Sequence, residues 1–593
     1  MGGPSTRAAP GPRLWPAVLI LAAAAAAVGW IWRPSAPPAA LSPTTQTLVV
    51  GLVATLLLLA WWLFFSRTPF LTRLAATMGL VALLGTASAF VELRGLSGDL
   101  VPRLGWRGGA TPLPVPPARV IPRDSSGTGP EESAVPPADP SSPDSNGAPA
   151  HDRPSRGPST GPPDPIRPEA TGRSSAQGDP RFARVGTRGD TDPGFPQFLG
   201  PNRDATLRGP SLARQWERSA PVPLWRQPIG KGWSGFAVQG GLAVTLEQRD
   251  GREWVVAYEA ETGKPRWSHR GGAGFESAMA GDGPRTTPAI EKGRVYTLGV
   301  NGILAALDLA SGRVLFEKDI LAENGAGRPE HGVAASPLLV DDVVVVLAGG
   351  PGGRSLVAYD ARTGERRWSG GDDPAAYSSP RVATLGGVRQ IVVLSLRNLA
   401  GHDIRTGDVL WQDPWPERAE KVSQPVVLGD DRVFVSMGYG IGGRMVKVTR
   451  APGGSWHAEV LWRSQQLKAK FTQVVAHGGF LYGLDEGVLV CLDPRNGERR
   501  WKSGRYGHGQ VLLVGDVLLV QAEDGEVVLV DPNPERHVEL GRFQAVQGRA
   551  WATPALVGDL LFVRGDVEAA CYRLPTGPRT VAAGFRPGRA GGE

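Results

Sequence analysis

The run Ala257-Tyr258-Glu259-Ala260-Glu261-Thr262-Gly263-Lys264-Pro265-Arg266-Trp267 recurs as Ala358-Tyr359-Asp360-Ala361-Arg362-Thr363-Gly364-Glu365-Arg366-Arg367-Trp368. The same spacing of acid, glycine and aromatic returns at Asp308, Gly312 and Phe316, at Asp403, Gly407 and Trp411, and at Asp493, Gly497 and Trp501. Trp462 closes a further unit, whose turn is lengthened around Gly453 and Gly454. A period of about 40 to 50 residues leaves two architectures, a solenoid or a propeller. The short apolar runs between turns, at 343–347, 390–396, 432–436 and 517–520, decide for β-strands.

Each repeated residue has a physical task. The acid accepts hydrogen bonds from N–H groups of the turn that follows it, and Gly takes the positive φ of that turn. The aromatic begins an outer strand and offers about 200 Å² of ring to the seam with the next blade. At about 25 cal/mol/Å² this is up to about 5 kcal/mol per seam.

Eight inner strands are expected, beginning near Ser234, Thr287, Ser336, Ser379, Gln424, Thr472, Gly509 and Thr553. The last unit ends without an outer strand, while residues 222–229, with Leu224 and Trp225, precede the first complete blade and supply the missing one. That exchange closes a ring and removes both sheet edges. The expected fold is an all-β, eight-bladed β-propeller over 195–575, with a flexible tail at 576–593.

Ahead of it, residues 1–100 contain three apolar stretches without charge, at about 14–32, 47–65 and 74–91. Each approaches the roughly 20 residues that cross a bilayer, with Trp61 and Trp62 as interfacial anchors, so three transmembrane helices are expected. The first is alternatively a signal peptide with Arg7 and Arg13 as its basic region. Arg7, Arg13, Arg67 and Arg73 against the lone Arg33 place the N-terminus and second loop in the cytoplasm. The propeller then falls on the periplasmic side of an inner membrane. Residues 101–194 turn rich in Pro, Gly and Ser and are expected to form a disordered tether. The 80 Gly and 54 Pro of the chain thus divide between linker and turns, which excludes a helical globule. A net charge of +7 over 593 residues, with no basic run interleaved with aromatics, argues against nucleic acid as a partner.

The pattern Ala-x-Asp-x-x-Thr-Gly-x-x-x-Trp resembles the tryptophan-docking repeat of the pyrroloquinoline-quinone (PQQ) propeller superfamily. The opening Gln197-Phe198-Leu199-Gly200-Pro201-Asn202-Arg203-Asp204, followed by Gly281-Asp282-Gly283-Pro284-Arg285, is similar to bacterial PQQ-like repeat proteins. The resemblance implies one of two roles. The first is that of a BamB-like, non-catalytic module that binds or scaffolds protein or peptide partners in the cell envelope, with no cofactor. Here the apolar helices reach the lipid bilayer in place of a lipidated Cys. The second is a membrane-bound quinoprotein dehydrogenase that oxidises alcohols or sugars with PQQ and calcium. Such enzymes usually set a disulfide of adjacent cysteines against the cofactor. Here only Cys491 and Cys571 occur, on equivalent strands of the sixth and eighth blades, where they are expected to be buried thiols.

Segments leading into the inner strands should converge at one mouth of the ring. They carry Glu276, Asp282, Arg285, Glu330, His331, Asp372, Asp373, Tyr377, Lys421, Lys470, Tyr506, His508, Arg549 and Trp551, which form the candidate ligand or partner site. The alternative is that these groups cap turns and pair with one another. His402, just before a repeat acid, is expected to be structural, and Gly438 to Gly442 a wide hairpin, not a phosphate loop. No histidine pair has metal-ligand spacing, and no nucleophile system can be nominated.

Overall fold

The computed structural model describes residues 15–31, 43–66, 68–96, 102–106, 194–277, 279–417 and 420–577. Most of the expected linker and tail, and Arg7, Arg13, Arg33 and Arg67, lie outside them.

From the first inner strand onward, apolar runs broken by turns build eight blades of four antiparallel strands, consecutive in all but the last, and the seventh carries a fifth, parallel strand on its inner edge. The first blade comprises Ala237–Gln239, Leu242–Arg249, Arg252–Glu259 and Pro265–Ala273. The eighth has only Ala555–Val557, Leu560–Arg564 and Glu568–Arg573 of its own, and Val222–Pro228 completes it antiparallel, with Cys571 opposite Trp225. The ring therefore closes with the strand exchange expected from the sequence. Cys491 and Cys571 are free and buried, on the third strands of blades six and eight.

The repeat residues act between blades. Ring carbons of Trp225, Trp267, Phe316, Trp368 and Trp462 lie on the Cα of Gly263, Gly312, Gly364, Gly407 and Gly497 respectively, each glycine being in the following blade. A Cβ on any of these five glycines would stand 2.5–2.7 Å from the ring. The indole N–H of Trp267 reaches Leu309 O at 2.9 Å, that of Trp462 reaches Pro494 O at 3.0 Å, and that of Trp501 reaches Asn533 O at 2.9 Å. The acids cap their turns as expected: Asp360 accepts from the N–H groups of Arg362 and Thr363, Asp403 from those of Arg405 and Thr406, and Asp493 from that of Arg495. Trp411 departs from the pattern. It turns onto Gly401 of its own blade and donates to Gln390 Oε1 at 2.6 Å, because the lengthened turn of blade five offers no repeat glycine to dock on. His402 is buried against Gly407 O at 2.9 Å, and Met437 pairs with Gly442 across the expected hairpin.

The segment Phe195–Leu207 has a role that no repeat announces. Phe195 exchanges both backbone hydrogen bonds with Val238 of blade one, and Pro196 O accepts from Ile290 N of blade two. Thr206–Leu207 then pairs in parallel with Leu513 and Val514 of blade seven. These backbone bonds use the channel-facing edges of inner strands, so the segment plugs one end of the channel. Leu199, Arg203 and Ala205 all hold positive φ, 62°, 53° and 58°, which side-chain-bearing residues adopt at a cost of about 1–3 kcal/mol each.

Helices stand where the apolar stretches placed them: Trp15–Ile31, Pro43–Ala60 continuing as a π-helical turn Trp61–Phe65, and Phe70–Phe90. Among the described residues, no helix is long and apolar enough to cross a membrane, which corrects the expectation of three crossings. The first has 17 residues, about 26 Å at 1.5 Å each, against a hydrocarbon layer of about 30 Å. The second opens on Pro43 followed by Thr44, Thr45 and Gln46, and the third carries Arg73 in its first turn. Val91–Leu96 and Pro102–Trp106 pair as a hairpin where the third span was expected to end and the linker to begin.

Candidate functional site

Small polar side chains at the start of the inner strands tie the mouth into a ring. The Gly235 N–H donates to Thr287 Oγ1 at 3.2 Å, Thr287 N–H to Ser336 Oγ at 2.9 Å, Ser336 N–H to Ser379 Oγ at 2.9 Å, and Ser379 N–H to Gln424 Oε1 at 2.9 Å. Five successive blades are thus linked one to the next. Gln510 of blade seven continues the belt, its amide donating to Phe471 O at 3.0 Å and Trp551 O at 2.9 Å. The residues leading into this belt fall into two groups.

The first group is aromatic and cationic. Trp551 packs against Trp233 with centroids 4.7 Å apart and against Phe471 at 4.9 Å, and Phe471 meets His508 at 5.2 Å. The Arg549 guanidinium lies 5.0 and 4.9 Å from the Trp233 and Trp551 rings and pairs with Asp566 at 3.2 Å. Glu523 receives the Trp551 indole N–H at 3.1 Å and the His508 backbone N–H at 3.1 Å. Lys470 Nζ stands 5.7 Å from the ring of Tyr439.

The second group is mixed in charge. The His331 ring stacks on Tyr377 at 5.8 Å, and the His331 backbone N–H donates to the Tyr377 hydroxyl at 3.2 Å. Burial pushes the Tyr377 hydroxyl up to about 12 and draws the Lys421 ammonium below its ordinary value. Glu330, His331 and Glu420 bring their ligand atoms within 4.8 Å of one another, a donor set that a divalent cation accepts. Arg285 lies over Phe275 at 5.0 Å and donates to Gly281 O at 2.6 Å, while Asp282 pairs with Lys231 at 2.8 Å.

Other candidates are not brought into either group. Asp372 caps the N–H groups of Gly352 and Gly353, Asp373 accepts from Asn398 at 2.9 Å, and Glu276 stands exposed. Tyr506 is withdrawn into the seam of blades six and seven, where its hydroxyl meets His537 Nε2 at 2.8 Å. Trp233, Phe275, Phe471, Glu420 and Glu523 take part in the mouth, and sequence reasoning missed them. The one available signal was their place just before, or in the loops beside, the inner strands. A cleft of about 310 Å³ lies between blades one and two, lined by Glu253, His269, Thr297 and Glu317 among others.

A family model described as outer membrane protein assembly factor BamB matches residues 222–329 and 279–503. The BamB of Burkholderia pseudomallei (strain K96243) is 26% identical over 356 residues, covering 51% of this chain and 86% of that protein. That of Shewanella oneidensis is 23% identical over 377 residues, covering 58% and 87%. Among solved structures, BamB from Moraxella catarrhalis aligns with a TM-score of 0.44 at 14% identity, over 60% of this chain and 98% of that one. A quinohemoprotein alcohol dehydrogenase from Comamonas testosteroni aligns with a TM-score of 0.45 at 13% identity, over 65% and 81%.

Proposed function

The chain is a β-propeller of PQQ-like repeats, and from that premise we propose that it is a non-catalytic module whose mouth binds a protein or peptide partner in the cell envelope. The observation that carries this reading is the aromatic and cationic group. Trp233, Trp551, Phe471, His508 and Arg549 come from segments leading into blades one, six, seven and eight, yet their rings pack as one surface beside a rigid hydrogen-bonded belt. Large, rigid aromatics with an adjacent guanidinium are the side chains that dominate protein interfaces. The similarity to two outer membrane protein assembly factors points the same way.

A PQQ-dependent dehydrogenase fits the mouth less well. A planar quinone needs a free aromatic face, and the Trp551 ring is already flanked by Trp233, Phe471 and Arg549. Membrane attachment is a separate part of the proposal. Trp15, Leu19, Leu52, Phe64, Phe70 and Leu83 are exposed on the N-terminal helices, and apolar surface of this extent needs an apolar environment. The full-length protein should float with phospholipid vesicles in a density gradient.

The test of the partner role is cross-linking in native membranes from an aryl-azide or photo-reactive residue placed at Tyr439, which is exposed beside the mouth. A discrete adduct with an envelope protein, lost in Trp551→Ala, is expected. Recovery of the same adduct from the variant would remove the mouth from the interaction.

A further inference from the structure

We infer that the central channel holds an oxyanion, a carboxylate or phosphate-type group, between Arg203 of the plug and Arg381 at the start of the inner strand of blade four. Arg203 is 3% exposed, and its guanidinium reaches from the plug to blade three, donating to Pro337 O at 2.8 Å and Ser336 O at 3.1 Å, with Gln197 Oε1 at 3.2 Å. Arg381 donates to Pro425 O at 3.0 Å, in blade five. A guanidinium has five N–H donors. Their Nε atoms are buried without a hydrogen-bond partner, and Arg381 has made one of its possible bonds to the carbonyl of Pro425.

Charge makes the same demand. Burial, and after it the like charge of Arg381, lowers the pKa of Arg203 to about 9, so a neighbouring anion would relieve both effects. Asp204 is the carboxylate that bears on Arg381, but it is already engaged by the Thr206 N–H at 3.0 Å, and its own burial raises its pKa. Two buried guanidiniums thus share one neighbourhood, and Asp204, which bears on Arg381, has its own charged form disfavoured by burial. Arg203 is also held in a left-handed backbone conformation between two other residues of positive φ, so the plug bears strain to place this side chain in the channel. A planar fork pair is the arrangement that recognises carboxylate and phosphate oxygens. The chemistry is common to a free anion and to an acidic side chain inserted from the mouth, and it does not depend on the partner proposed above.

The experiment uses the full-length protein and two probes, inorganic phosphate and a capped Glu-containing peptide, each measured by calorimetry and thermal shift against sodium chloride of equal ionic strength. Saturable binding of at least one probe is expected, with a midpoint rise of a few degrees by mass action. Affinity should fall tenfold or more in Arg381→Gln. Phosphate binding alone identifies a free anion as the occupant, and peptide binding alone identifies an inserted carboxylate. Arg381→Lys keeps the charge and loses the fork; it is read out if Arg381→Gln does not fold, and an affinity between those of wild type and zero is expected. Absence of saturable binding by both probes overturns the inference, as does binding unchanged in the Arg381 variants.

Discussion

Trp225 lies against the Cα of Gly263 and donates its indole N–H to Ala260 O at 2.8 Å. Trp225 is on the strand that completes blade eight, and Gly263 is in blade one, so this contact fastens the ring across its closure. Trp225 is 8% exposed, and its removal leaves a cavity as well as an unpaired carbonyl. Trp225→Ala should cost about 3–5 kcal/mol, read from the urea midpoint. Limited proteolysis of the variant should cut near residues 222–228 before the rest of the propeller. The equivalent change at Trp368, whose ring is half-buried, should cost less. Equal losses at the two sites would mean that closure adds nothing special.

Glu253 supplies a pH dependence. Burial, opposed by the Val300 N–H at 3.0 Å and by Arg285, raises its pKa from 4.5 to about 7. The folded state then binds a proton that the unfolded state has released, so stability is full below about pH 4.5 and declines as pH rises towards 7. Glu253→Gln retains an acceptor for Val300 and does not titrate. Its melting temperature should be flatter than that of wild type across this window; parallel curves would show that Glu253 is not the group responsible.

The two thiols offer a check on the core. Cys491 and Cys571 are fully buried, and burial pushes them up to about 11 and about 12. A thiol-specific chromogenic reagent at neutral pH should find neither in the native protein within minutes, and both in denaturant without added reductant. Fewer than two thiols in unreduced, denatured protein would require a disulfide that the structure does not contain.

The docking repeat was legible because its acid, glycine and aromatic lie within nine residues and recur. Even the closing strand could be found, as the one strand the last unit lacked. Trp411 shows the limit of that reasoning, since a docking residue needs its glycine in the next blade, and the turn that should supply it is altered between Ala451 and Ser455. The plug was illegible for a different reason. Its bonds are backbone bonds to strands that lie tens to hundreds of residues away, and its left-handed positions at Leu199 and Arg203 are not marked by glycine. At the mouth, charged and polar residues stood out from the sequence, but Trp233 and Phe471 did not, because an aromatic outside the repeat spacing looks like any core residue. Hydropathy located the N-terminal helices correctly and overestimated how much of each remains apolar along a length sufficient to cross a membrane.

Arg564 joins the last blade to the first by polar bonds, as Trp225 does by packing. It is 1% exposed and donates to Ser234 O at 3.0 Å, Thr245 Oγ1 at 2.8 Å, Leu246 O at 2.7 Å and Gly230 O at 2.8 Å. Burial lowers its pKa to about 10, which leaves it charged at neutral pH. Arg564→Met removes four donated bonds and leaves three backbone carbonyls short of a donor in a buried seam, so a loss of about 3–5 kcal/mol is expected. Arg564→Lys restores the charge but only one donor centre, and it cannot span acceptors that a planar fork reaches from two nitrogens. It should therefore recover less than half of the loss in chemical denaturation. Full rescue by lysine would show that charge alone, and not the geometry of the fork, fastens the seam.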